Sequence, residues 1–245
     1  MYEMTTDDCP KGTSLALDGD SDLEEVPKSH RHLLSEDIQA VFHNPLGYVA
    51  ELATKSKSPG LTRLLKRFSE CEDEWQLELH HLDANAHPYI PTEVSSVFLR
   101  FFLEDLDIAP GMILHPEARL SVEDRLREGL HPALGHLYSL IDGTNETGFL
   151  RGGGLFEAAS ITSLADCGVG YDDEAIDGSQ FFYFACTYDG GSFLAGLDGE
   201  IHLMSCGGDC LHSVGGADTW LEAYCDAQLK GKDITDLFED QMRQR

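Results

Sequence analysis

Between Phe181 and Met204 the chain runs through three apolar segments parted by two glycine turns. Phe181 to Cys186 is a continuous apolar and aromatic run, too short for a helix and suited to a central strand. Asp189-Gly190-Gly191 is a turn, and Ser192 to Leu197 predicts a second strand. Asp198-Gly199 is a tight hairpin signal, and Glu200 to Met204 predicts a third strand. Turns this short join neighbouring strands only in antiparallel fashion. A helix capped near Asp218 or Thr219 follows, with Trp220, Leu221, Tyr224 and Cys225 at helical spacing. Strands succeeded by a helix, rather than strict alternation of the two, specify an α+β fold with an antiparallel-rich sheet and flanking helices.

The preceding region, Leu33 to Leu140, is patterned mainly for helices. Ser35 caps a segment carrying Ile38, Val41 and Phe42, and Asn44-Pro45 interrupts it before Leu46, Val49, Ala50 and Ala53 resume the period. Ser58-Pro59-Gly60 is a further break. Leu61, Leu64, Leu65 and Phe68 then line one helix face, with Arg63, Lys66 and Arg67 around the others, as on a solvated basic helix. Trp75, Leu77 and Leu79 alternate with polar residues and predict a strand. Val94, Val97, Phe98, Phe101 and Phe102 predict an apolar core helix. Ser121 to Asp124 is a capping-box signature opening another, with Val122, Leu126 and Leu130. Pro132 starts the last helix of the region, with Leu134, Leu137, Tyr138 and Ile141 on one face. The organisation read from the chain is an acidic tail over 1–30, a helical region over 31–119 and an α+β domain over 120–245.

Asp and Glu number 44 against 17 Lys and Arg, a formal net charge of −27. Such a field repels nucleic acid and anionic lipid and attracts basic proteins or metal ions; the plainer explanations are simple solubility or a high-salt habitat. No apolar stretch is long enough to span a bilayer, and Met1 to Asp8 lacks the marks of a secretory signal. Seven cysteines without a disulfide-like spacing suit reduced thiols in the cytoplasm.

His131-Pro132-Ala133-Leu134-Gly135-His136-Leu137-Tyr138, closing on Asp142-Gly143, resembles the opening of SUKH-superfamily domains. Gly153 to Phe156 and Ile161 to Asp166 are similar to that family's next short strand. Phe181 to Cys186, Gly190-Gly191 and Leu197 to Ile201 are similar to its central hairpin, and the helix around Trp220 to its closing helix. The resemblance spans about residues 120–232, while Cys206 to Gly216 departs from the family's simple strand ending. It implies a binding module, not an enzyme. It further implies either an immunity protein that neutralises a basic toxin, such as a nuclease, or a regulatory scaffold that recruits cellular partners.

The distribution of charge sharpens the first of these. From Arg151 to Lys230 no Lys or Arg intervenes, while thirteen acids do. Asp172, Asp173, Glu174 and Asp177 in one loop, with Asp189, Asp198 and Glu200 of the hairpins, are the candidate contacts for a basic partner. A solvated acidic surface accounts for them equally. Cys206, Cys210 and His212 in a glycine-rich loop, with His202 nearby, are a weaker zinc candidate, because paired C-x2-C knuckles are missing. No cofactor is expected. Asp18, Asp20 and Asp22 mimic a calcium loop, but Leu23 and Ser29 replace its Gly and closing Glu. His80, His81, Asp83 and His87 do not form a metalloprotease helix, and Gly152 to Gly154 lacks the lysine of a nucleotide loop.

Overall fold

Both proline breaks in the N-terminal half turn out to be helix starts. In the computed structural model, Asn44 and Ser58 are N-caps, and the proline after each occupies the first helical position, where its missing N–H costs nothing. The structure describes residues 16–18, 40–41, 43–71, 75–80, 96–101, 111–114, 132–144, 154–158, 161–166, 176–187, 190–204, 211–230, 232, 234 and 238. Gly47 N donates to Asn44 Oδ1 at 2.9 Å at the head of α1 (Pro45–Lys55). Leu61 N donates to Ser58 Oγ at 3.1 Å at the head of α2 (Pro59–Ser69). The expected apolar stripe of α2, Leu61, Leu64, Leu65 and Phe68, is buried.

A four-stranded antiparallel sheet accompanies these helices, in the order β1 (Ala16–Asp18), β2 (Trp75–His80), β3 (Ser96–Phe101) and β4 (Gly111–Leu114). Its second strand is the one predicted. The first replaces a stretch assigned to the acidic tail: Asp18 pairs with Gln76 as part of a strand. The third corrects the predicted helix around Val97, Phe98 and Phe101. A run that is apolar at nearly every position satisfies both periods, and pairing with β2 and β4 decides for the strand. Phe101 is buried and stacks on Phe68 of α2, with ring centroids 4.4 Å apart. The predicted segments at Ser35, Ser121 to Leu130 and His81 to His87 lie outside the described residues.

The C-terminal half has the three predicted central strands and the closing helix, and adds a strand at Leu211–Gly216 where the sequence suggested a glycine-rich loop. α3 (Pro132–Tyr138) leads to a five-stranded antiparallel sheet ordered β5 (Thr162–Ser163), β6 (Phe181–Cys186), β7 (Ser192–Gly196), β8 (Glu200–Met204) and β9 (Leu211–Gly216), closed by α4 (Ala217–Lys230). The chain is an α+β protein. The connection from α3 is anchored by buried polar groups. Ala158 N donates to Asp142 Oδ1 at 2.9 Å, and Leu155 N to Thr144 Oγ1 at 2.8 Å. Between them Gly143 has φ +90°, and a Cβ there would stand 2.5 Å from the Phe156 carbonyl oxygen, so only glycine fits.

One face of the five-stranded sheet packs on α4. Trp220 is fully buried with its ring 4.9 Å from Phe184 and 5.4 Å from Phe193. The other face carries a smaller cluster of Leu164, Leu194 and Met204, flanked by Ile176, Phe181, Tyr183 and Leu211. The main core is shared between the halves, since Val49, Leu65 and Phe101 belong to the same buried cluster as Phe184 and Trp220.

A carboxylate fastens this junction. Glu222 Oε1 on α4 accepts from Ser58 Oγ at 2.7 Å and from Gly60 N at 2.8 Å, at the N-terminus of α2, where the helix dipole favours negative charge. The approach needs Gly60, whose Cβ would stand 2.7 Å from Glu222 Oε2. Arg63 reaches Glu222 at 3.5 Å and Asp226 at 3.2 Å. The basic helix is therefore turned in part toward the acid-only segment, and Arg63 is not simply a solvated charge.

Candidate interaction site at one end of the five-stranded sheet

Antiparallel connections bring three of the predicted acids to one end of this sheet. Asp177 precedes the 3-10 turn Gly178–Gln180 that enters β6. Asp198 lies in the turn from β7 to β8, and Glu200 opens β8. Leu197 N donates to the Gln180 carbonyl at 3.0 Å, tying the two turns together.

Each of these carboxylates has local work. Asp177 Oδ1 accepts from Ser179 N at 3.1 Å and Ser179 Oγ at 2.6 Å, and its Oδ2 from Gln180 Nε2 at 3.3 Å. Those bonds favour the charged form and hold its carboxyl below the usual range. Asp198 Oδ1 accepts from Glu200 N at 3.0 Å, closing the hairpin, while Glu200 Oε2 accepts from Ser213 Oγ at 3.1 Å. Among the described residues none of the three is paired with Lys or Arg. By contrast, Asp226 and Glu222 meet Arg63, and Asp226 also meets Lys230 at 2.9 Å. The described part of the N-terminal half thus supplies a cation to α4 and none to the hairpin end.

Sequence reasoning missed the residue at the centre of this end. Leu197, expected as the last residue of a strand, lies in the turn and is 47% exposed, the one large apolar side chain so exposed among the described residues. An apolar tip ringed by charge has the composition of a small protein-contact patch. Its only prior signal was its position beside Asp-Gly, where turns project outward.

Asp172, Asp173, Glu174 and Asp189 lie outside the described residues. The chain on either side of Asp189, at Thr187 and Gly190, is at the opposite end of β6 and β7 from Asp198.

His202 lies beside Asp198 on the sheet face away from α4, with Nε2 3.9 Å from Asp198 Oδ2 and its ring edge-on to Phe181 at 5.0 Å. Burial lowers its pKa below 6.5, against the upward pull of Asp198 and Glu200. His136 is lowered as well, first by burial and then by Lys57, and its Nε2 accepts from Lys57 N at 2.8 Å. Both rings fold neutral more readily than they unfold neutral. Their contribution to stability is complete above 6.5 and is lost as pH falls from there through the folded values. An NMR titration is expected to place both below 6.5, with Asp198→Asn moving His202 further down. A His202 value that rises in the variant would contradict this geometry.

The zinc candidates fare differently from one another. Cys206 and Cys210 are outside the described residues. His212 is in β9 rather than in a loop, exposed and opposite Leu203, whereas His202 pairs with Ser213. Neighbouring strand positions alternate in direction, so the two imidazoles occupy opposite faces and cannot share an ion. Among the described residues no three His, Cys, Asp or Glu side chains gather as a metal site requires. The described free thiols are Cys71, Cys186 and Cys225, and burial pushes that of Cys225 far up, away from reactivity.

Asp198→Ala is expected to lower stability by about 0.5–1 kcal/mol through loss of the turn bond, as read by urea denaturation. No helix among the described residues is long and apolar enough to cross a membrane. No protein-family model, no curated protein and no solved structure matches the chain.

Proposed function

We propose that the chain is a non-enzymatic protein-binding module of SUKH type, an immunity protein that neutralises a basic toxin such as a nuclease by direct contact in the cytoplasm. The observation that carries this reading is exposed Leu197 beside Asp198, at the sheet end that also holds Asp177 and Glu200, carboxylates that no Lys or Arg among the described residues compensates. A protein that works on nucleic acid must present positive charge to phosphate. An inhibitor with the opposite field gains a faster encounter, and an apolar anchor at the centre of the patch slows release. Asp172, Asp173, Glu174 and Asp189 carry charge of the same sign.

The test is affinity capture on the full chain at low salt, followed by assay of whatever is retained. The reading expects a basic protein, released as salt rises, whose activity is abolished at a stoichiometric ratio of the two chains. A broad set of unrelated proteins, none inhibited, would favour the regulatory-scaffold alternative and remove the immunity reading.

A further inference from the structure

Among the described residues β9 is an edge strand of the five-stranded sheet. β8 is its backbone partner on one side, and among the described residues nothing bonds the other. An antiparallel edge strand turns the N–H and C=O of every second residue outward, a template for another strand unless something blocks it. Leu211-His212-Ser213-Val214-Gly215-Gly216 contains no Lys, no Pro and no inward charge; the pairing with β8 shifts register at Val214, so Leu211 to Ser213 is the regular stretch that can template a strand. His212 and Ser213 are exposed and Leu211 is half-buried. The other edge of the sheet is less inviting: β5 has 2 residues, and among the described residues that edge continues as the bridge from Leu155 to Ala185.

We propose that β9 takes up an extended segment of a basic protein as an additional strand of the five-stranded sheet. The proposal rests on the protein-binding reading above and makes its surface specific. Charge selects the occupant. Glu200 opens the neighbouring strand, opposite Gly216, and Ser213 Oγ holds its carboxylate beside β9 at 3.1 Å. Asp198, in the turn before it, also has no Lys or Arg partner among the described residues. A second copy of this chain would bring the same carboxylates and a charge of −27 to the contact. A strand bearing Lys or Arg on the Glu200 face gains attraction instead, and apolar residues on its other face would lie along Val214. Backbone pairing supplies affinity in this mode, and the alternating side chains supply selectivity.

The probe is a synthetic peptide alternating lysine with valine, mixed with the full chain and followed by amide hydrogen exchange. The expected result is slowed exchange at Leu211–Gly216, about tenfold weaker binding when alternate peptide nitrogens are methylated, and no binding of a glutamate–valine counterpart. Equal binding of the methylated peptide, with β9 unprotected, would overturn strand addition while leaving the acidic-surface reading intact. Equal binding of the lysine and glutamate peptides would overturn both. Protection of β9 that grows with the chain's own concentration, without peptide, would overturn the basic occupant in favour of a second copy.

Discussion

Trp220→Ala is expected to destabilise the protein by about 3–5 kcal/mol, the range for emptying a fully buried large aromatic site. The indole is completely buried and is held by three rings, Phe184 at 4.9 Å, Phe193 at 5.4 Å and Tyr224 at 5.0 Å. These come from β6, β7 and α4, so the cavity would open where the sheet meets its closing helix. Domains hold only about 5–15 kcal/mol in total, and such a loss threatens the fold at body temperature. Trp220→Phe is the informative companion. Among the described residues Trp220 Nε1 has no hydrogen-bond partner, so phenylalanine forfeits volume but no bond to them, and a cost of about 1–2 kcal/mol is expected. Denaturant titration of both variants checks the pair. A phenylalanine variant as unstable as the alanine one would mean that the indole N–H matters in a way this packing does not explain.

Glu222→Ala is expected to cost about 2–3 kcal/mol, because it strips a charged acceptor from Ser58 Oγ and Gly60 N at once. The bonds are short, 2.7 and 2.8 Å, and they join positions far apart in the chain. Arg63→Ala should cost less than about 1 kcal/mol, since its pairs with Glu222 and Asp226 are half-exposed and screened by water. The difference separates two views of the junction, a carboxylate capping α2 or an ion pair on the surface. Equal losses in the two variants would favour the ion pair. Glu222→Gln keeps an acceptor oxygen and should fall between alanine and the parent chain.

The elements that were legible in the sequence are those whose signal is local. Pro132 fixes the start of α3, and the alternation of β7 and β8 around Asp198-Gly199 fixes a hairpin without help from the rest of the chain. The ring-bearing face of α4 was legible for the same reason. What escaped was decided at long range. Val97, Phe98 and Phe101 fit a helical face as well as a strand, and only pairing with β2 and β4 selects the strand. Asp18 sits in an acidic, turn-rich segment whose composition hides a strand that exists through its pairing with β2. The prolines at Pro45 and Pro59 read as interruptions because the same residue that ends one helix begins another, and the cap side chain tells which.

At the candidate site, the acids were legible and their grouping was not. An unbroken acidic stretch from Arg151 to Lys230 suggests one uniform field. The fold divides it: Glu222 and Asp226 are taken up by Arg63 on α2, while Asp177, Asp198 and Glu200 are carried to the far end of the sheet. Leu197 gains its meaning only from that arrangement, as an exposed apolar group among carboxylates that already cap turns. His202 shows the same limit. Its sequence neighbours suggested a zinc ligand, and the alternation of β8 and β9 turns it away from His212.

The most direct measurement is the association rate of the captured basic partner as a function of ionic strength, for the parent chain and for Asp177→Asn, Asp198→Asn, Glu200→Gln combined. Opposite fields predict a parent rate that falls steeply with salt, and a variant rate about tenfold lower at low salt with a flatter dependence. Each amide replacement keeps one acceptor oxygen for the bonds from Ser179 N, Glu200 N and Ser213 Oγ, while Asp177→Asn gives up the bond from Gln180 Nε2, so a folded variant with a slightly lowered denaturation midpoint is the accompanying expectation. Identical rates and identical salt dependence in the two chains would contradict the assignment of this end of the sheet as the binding surface.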